Sequence, residues 1–246
     1  MPLLDYIKKY KILDFINRKL QCEFDLFLKI GVELEFYLIK DYRFLSEMSC
    51  EDIVEIVKKK FSLLIEPEMG KDQYEIILKP SVCISQYAEY IENLKIRLFN
   101  FCKNLGFIIL FDAKPFKGDF GNAMHVNLSC NNFFHKNILI ANILCSYVSM
   151  TKRLFFFEIL DYERLDYRFM SPTHICVGSS HNRTALIRIL YNRLEHRLAS
   201  SNVNSYQVFY AILVSILRGL KYEEEIKEFP IIYGNAFDEE YDLAII

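Results

Sequence analysis

Four short stretches of this 246-residue chain set polar side chains two residues apart between apolar ones. Glu33 and Glu35 lie in GVELEFYLI, Gln73 and Glu75 in QYEIIL, His125 in MHVNL, and Arg193, Glu195 and Arg197 in RLEHRL. Side chains of an extended strand alternate faces with period two. Each stretch therefore has one apolar face and one face of carboxylate, imidazole or guanidinium, and several such strands in one sheet would line a polar cavity. Carboxylate oxygens with one imidazole suit Mg²⁺ or Mn²⁺ beside phosphates, and they lack the thiolates of a structural zinc site. Planar guanidinium groups bind phosphate and carboxylate bidentately and stay charged. Carboxylates converging at about 4 Å cost roughly 4 kcal/mol per like pair at an effective dielectric near 20. Cations, arginines or raised pKa values must offset that. Glu33 and Glu35 taken alone also fit the solvated face of an edge strand.

The elements that must position these residues can be read from the same sequence. Residues 3–20 form a predicted helix with Leu4, Ile7, Ile12 and Phe15 on its apolar side, and 26–39 the first long strand. Ser49 opens a helix with Glu51 and Asp52 in its first turn, where negative charge suits the helix dipole. Residues 61–68 and 73–79 read as a hairpin around Gly70, 84–104 as a long helix, 107–112 and 123–130 as strands, and 137–158 as a helix. A less regular stretch, 162–182, leads into strands 184–190 and 193–198. Asn204 opens an apolar helix expected to stop at Arg218–Gly219, glycine being the usual terminator. If Tyr191 and Asn192 are the turn of the hairpin near residue 190, Arg188 lies across from Glu195 on the same face. Arg183 and Arg188 differ in strand parity, which puts Arg183 in the loop before the strand. The pattern is α+β: a mainly antiparallel, meandering sheet with helices packed on one face.

Composition narrows the function classes. Hydrophobic residues make up 52% and charged residues 25%, with a net charge of −2, which is globular and gives no general attraction for nucleic acid. No basic cluster is interleaved with stacking aromatics, so no nucleic-acid partner is expected. The longest apolar run, Ile138 to Met150, is shorter than the roughly 20 residues of a membrane-spanning helix. The N-terminal stretch lacks the features of a signal peptide. The seven cysteines are scattered without a C-x-x-C pair, as expected of reduced thiols in a cytoplasmic protein with no membrane association.

Taken together and in order, GVELEF, EMGKDQYEI, AKPF, GNAMHVN, NRTALIRI, RLEHRL and NSYQVFYAILVSILRGL resemble the catalytic domain of glutamine synthetase and related ATP-dependent carboxylate–amine ligases. GNAFD, ending near residue 237, adds to the likeness. The resemblance implies the glutamine synthetase/guanido kinase-like architecture, a curved sheet with helices on its outer face, over residues 26–246 as a single domain after an N-terminal helix, 1–25. It implies two divalent ions, one held by Glu35, Glu68 and Glu75 and the other by Glu33, His125 and Glu195. Glu66 shares the strand parity of Glu68; the spacing to Gln73 and Glu75 favours Glu68. It further implies ATP contacts from Arg188, Arg193 and Ser129, catalytic roles for Arg183 and Glu75, and binding of an amino-acid carboxylate by Arg164, Arg197 and Gly121. The implied reaction uses ATP and Mg²⁺ or Mn²⁺ to form an acyl phosphate, which ammonia or an amine converts to an amide. Partners would be the small-molecule carboxylate and amine, with a homo-oligomer as the assembly. His135, His174, His181 and His196 match no family site and are read as structural.

Several positions depart from the family pattern. The flap glutamate that helps deprotonate the amine falls at Met170, the second histidine is Asn127, and the glutamate-binding Asn-Gly reads Phe120-Gly121. Only about 25 residues precede the first strand, with no room for an N-terminal β-grasp domain, and the chain is short beyond GNAFD. Metal and phosphate ligands are kept while amine-handling groups are altered. That pattern fits an active ligase with a changed substrate, and also a noncatalytic relative that retains metal and nucleotide binding.

Overall fold

The computed structural model describes residues 3–44, 47–155 and 159–246, with side chains described from residue 11 onward. The expected apolar positions Leu4 and Ile7 lie outside the described side chains. Helix α1 (Leu3–Phe24) leads into the long strand β1 (Leu28–Lys40). Helix α2 (Cys50–Phe61), the hairpin β2 (Leu64–Pro67) and β3 (Gln73–Ser81), α3 (Ile84–Asn104), β4 (Phe107–Leu110) and β5 (Met124–Cys130) follow. The second half holds α4 (Phe133–Ser146), α5 (Val148–Phe155), α6 (Ile159–Glu163), β6 (His174–Gly178), β7 (Ala185–Ile189), β8 (Leu194–His196), α7 (Ser205–Lys221) and β9 (Ile231–Ile232). The strands form one open sheet in the order β2-β3-β1-β5-β8-β7-β6-β9, with β4 also paired to β1. All pairings are antiparallel except β6 with β7 and with β9.

β1 is therefore the sheet's inner spine, paired with β3, β4 and β5, and Glu33 and Glu35 are not on an edge. Its alternate residues Val32, Leu34 and Phe36 join the core under the helices. α7 packs against α1, α3, α4 and α5, and ten of its residues are buried. Fully burying one Leu or Ile side chain contributes roughly 1.5–3 kcal/mol, so this helix anchors the apolar face. Both expected helix starts are present. Ser49 and Asp52 form a reciprocal capping box, and the Asn204 side chain accepts the Tyr206 N–H at 3.0 Å.

Three local expectations are corrected. The helix expected over 137–158 begins earlier and breaks at Tyr147, where α4 and α5 meet at 62°. No glycine or proline marks this bend. Tyr147 donates its hydroxyl to Glu225 at 2.9 Å, a contact 78 residues away in the chain. Residues 156–158 lie outside the described residues. The stretch 162–182 hides β6, a short strand whose partners β7 and β9 are both later in sequence. Gly219 lies inside α7, which runs to Lys221, so it does not terminate the helix. A Cβ there would stand 2.6 Å from two side-chain carbons of the buried Ile143, so the glycine allows α7 to approach α4 closely. No single helix among the described residues is long and apolar enough to cross a membrane.

Two measurements test this packing. Gly219→Ala gains about 1 kcal/mol of helix propensity but overpacks a filled core, which costs about 1–3 kcal/mol. Urea denaturation should show net destabilisation that Ile143→Ala partly relieves; simple additivity of the two changes would contradict the close approach. His196, on the core face of β8, is fully buried against Phe155, and neither ring nitrogen has a partner among the described residues. Burial pushes its pKa down to about 3. The unfolded chain takes up this proton near pH 6.5 and the folded one does not, so stability falls as pH drops below about 6.5, by up to roughly 1.4 kcal/mol per pH unit. The stability difference between His196→Leu and the parent should therefore move in the variant's favour from pH 7 to pH 5. An equal difference at both pH values refutes a neutral core imidazole.

Candidate functional site

The strand registers bring the charged positions together. Glu33 pairs across β1–β5 with His125, Glu35 across β1–β3 with Glu75, and Asn127 across β5–β8 with Glu195. Arg188 sits directly opposite Glu195, as the Tyr191–Asn192 turn predicts. His125 Nδ1 stands 3.6 Å from Glu33 Oε2, 3.8 Å from Glu35 Oε1, 3.7 Å from Glu75 Oε1 and 3.5 Å from Glu195 Oε1. These side chains line a cavity of about 540 Å³, on the sheet face opposite the helices.

Two groups of potential ligands have donor atoms all within 4.8 Å of one another: Glu35, Glu68 and Glu75, and Glu33, Glu75 and His125. Glu75 belongs to both. Glu66 also lines the cavity but joins neither group, whereas Glu68 joins the first. Glu68 comes within reach because the chain turns tightly after β2. Its N–H bonds the Gln73 carbonyl at 2.9 Å, and a Cβ on Gly70 would stand 2.1 Å from the Tyr37 hydroxyl. Glu195 lies beside His125, yet its two oxygens are held by Arg188 Nη1 and, at 2.7 Å, by Arg197 Nη1.

The same residue type has opposite proton affinities in this cavity. Burial raises Glu35 to about 7, against the nearby His125 and the Ala123 N–H, which donates to it at 2.7 Å. Burial also opposes ionisation of Glu195, but Arg197, His125 and Arg188 hold it at about 2. Glu33 is likewise pushed up by burial, yet a hydrogen bond and charge from His125 and the Asn127 amide keep it below the usual range. His125 loses by burial and by the proximity of Arg197, but the surrounding carboxylates lift it to about 10. An imidazolium is thus the local counter-charge for four carboxylates.

The other expected site residues divide into three groups. Arg183 is in the loop before β7 and, with Arg188, faces the main cavity. Arg193 and Ser129 line a neighbouring cavity of about 370 Å³ with Lys29 and Asn127; Glu33 and Ile77 border both cavities. Arg164 reaches the main cavity, but its guanidinium already donates to Ser200 Oγ at 3.1 Å and to the Leu198 carbonyl. Gly121 makes room for it, because a Cβ there would stand 2.4 Å from Arg164 Cγ. Met170 sits at the rim in the left-handed region at φ 55°, its carbonyl 3.4 Å from Arg197 Nη2. Phe120, in ring contact with Phe169, lies beside it on the cavity wall.

Some supporting residues had no assigned role in the sequence. The Gln73 side chain accepts from the Gly70 N–H at 2.9 Å and donates to the Gly121 carbonyl at 3.0 Å and Asn122 Oδ1 at 3.1 Å. Asn122 in turn donates to the Leu110 and Asp112 carbonyls. This buried amide pair ties the Glu68 turn to the loop entering β5. Its only sequence signal was the polarity of Gln73 within an apolar strand.

Comparison with known proteins agrees with this architecture. The chain is 28% identical over 148 residues to the gamma-glutamylputrescine synthetase PuuA of Escherichia coli, a match covering 53% of this chain and 31% of PuuA. It is 26% identical over 191 residues to the glutamine synthetase of Pyrococcus horikoshii, covering 71% of this chain and 42% of that protein. The chain thus spans less than half the length of these curated relatives. Solved structures of GmaS, without ligand and with ADP, superpose with TM-scores of 0.78 at 21% and 18% identity. They cover 97% of this chain and 63% and 65% of GmaS, and at these identities they establish the fold. The sequence model described as glutamine synthetase, catalytic domain, matches residues 51–242, well over half of the chain, and the protein therefore belongs to that family.

Proposed function

We propose that this protein is an ATP-dependent ligase that joins an amine to a carboxylate through an acyl phosphate. The carrying observation is the pair of ligand groups sharing Glu75, with Arg183 and Arg188 on the same cavity wall. Carboxylate oxygens with one imidazole nitrogen, the donor atoms of each group within 4.8 Å of one another, fit Mg²⁺ or Mn²⁺. Glu35, Glu68 and Glu75 would hold one ion, and Glu33 and His125 with Glu75 the other, while Glu195, bound by Arg188 and Arg197, stands beside His125. When bound, the ions supply positive charge against the phosphoryl oxygens of ATP.

The remaining work falls to the protein's side chains. Arg183 and Arg188 face the cavity where the γ-phosphoryl group would lie, and Arg193 and Ser129 face the adjoining cavity that would take the rest of the nucleotide. A solved structure of GmaS, which shares this fold, is an ADP complex, and this supports a nucleotide ligand. A substrate carboxylate oxygen attacks the γ-phosphorus, ADP leaves, and an amine nitrogen then displaces phosphate from the acyl carbon while losing a proton. Arg197 and Arg164 face the place for the carboxylate substrate, and position and charge supply the catalysis. Arg197 also neutralises Glu195, and Arg164 spends two donor groups internally, so the two arginines keep only part of their donors for substrate. The names of PuuA and the glutamine synthetases support glutamate as the carboxylate substrate.

One observation favours a second reading, binding without turnover. Met170 occupies the rim position where the family pattern calls for a glutamate, and a thioether cannot take the amine proton. Phosphate release from Mg-ATP separates the two. Glutamate plus ammonia or an amine should stimulate it, and Glu75→Ala should lower the stimulated rate at least about a hundredfold. No stimulation across a broad panel of carboxylates and amines refutes the ligase reading in favour of binding alone. Metal binding has its own test. Mn²⁺ at one hundred times its dissociation constant should stabilise the fold by about 2.7 kcal/mol, and Glu75→Ala should abolish this. An unchanged melting temperature at millimolar Mn²⁺ removes the metal site.

A further inference from the structure

Asn127 pairs between Gly31 of β1 and Glu195 of β8 and lines the smaller cavity beside Glu33, which borders both cavities. Its side chain is buried, and its Oδ1 accepts from Arg193 Nε at 2.8 Å. Arginine carries no acceptor, so the atom facing Nε is the amide oxygen.

This bond matters because little else fixes the Arg193 guanidinium. Its side chain is 43% exposed, Nη2 lies 4.0 Å from Glu33 Oε1, and among the described residues the Nε bond is its one side-chain hydrogen bond. Arg193 lines the adjoining cavity, and with Nε held by Asn127 its two Nη groups are the donors left for phosphate oxygens.

We infer that Asn127 is a positioning residue for nucleotide binding, orienting the Arg193 guanidinium toward a phosphate group. The inference rests on the nucleotide reading above and assigns a role to a position where this chain departs from its family. It says that an uncharged amide at residue 127 acts through one nitrogen of Arg193.

Calorimetric titration of Mg-ADP into the parent protein, Asn127→Leu, Arg193→Lys and the double variant tests it without turnover. Lysine keeps the charge but has no Nε–H for Asn127 to hold. Asn127→Leu should weaken Mg-ADP about tenfold in the parent and less than twofold in the Arg193→Lys background. Melting curves without ligand report whether each variant folds, and Asn127→Ser, too short to reach Nε, should give the same pattern if the leucine variant does not fold. Equal losses in both backgrounds, or no loss in the parent, overturn the inference while leaving nucleotide binding intact. Failure of the parent to bind Mg-ADP overturns both.

Discussion

The structure depends on holding several carboxylates around one imidazole on the inner strands of a sheet. Glu33, Glu35, Glu75 and Glu195 each have an oxygen within 3.8 Å of His125 Nδ1. Like charges this close repel by several kcal/mol per pair in a partly buried setting. The protein meets that cost unevenly. Two guanidinium groups keep Glu195 ionised, whereas Glu35 receives one backbone N–H and takes up a proton near neutrality. Such divergent proton affinities among identical side chains are characteristic of functional sites.

The apolar half of the fold makes this arrangement possible. α7 and the helices around it bury the other face of the same strands, so alternate residues of β1 and β5 serve core and cavity. A one-residue slip in register would send the glutamates into the core. The Gln73–Asn122 amide pair and the close approach at Gly70 secure the two loops that no strand register controls. Rigidity at these points suits a site whose chemistry is mostly position and charge.

The rim of the main cavity differs from its floor in character. Phe120, Phe169 and Met170 form an apolar rim beside a densely charged floor. Two departures from the family pattern, Phe120 and Met170, thus share this rim, whereas Asn127 lines the neighbouring cavity. Gly121, which the sequence suggested as a substrate contact, serves to seat Arg164, and Arg164 itself is largely committed to carbonyls of the chain.

Much of this was legible from the chain alone. Period-two spacing revealed which residues share the polar face, and the Tyr191–Asn192 turn fixed Arg188 opposite Glu195, because both are local consequences of strand geometry. Serine and asparagine caps marked α2 and α7 for the same reason. Long-range contacts were not legible. The bend at Tyr147 has no local glycine or proline to mark it, and the parallel strand β6 and the buried Gly219 each have partners far along the chain. The alphabet of the site was local, and its proton affinities were decided by tertiary structure, because burial and neighbouring charge exist only once distant strands have met.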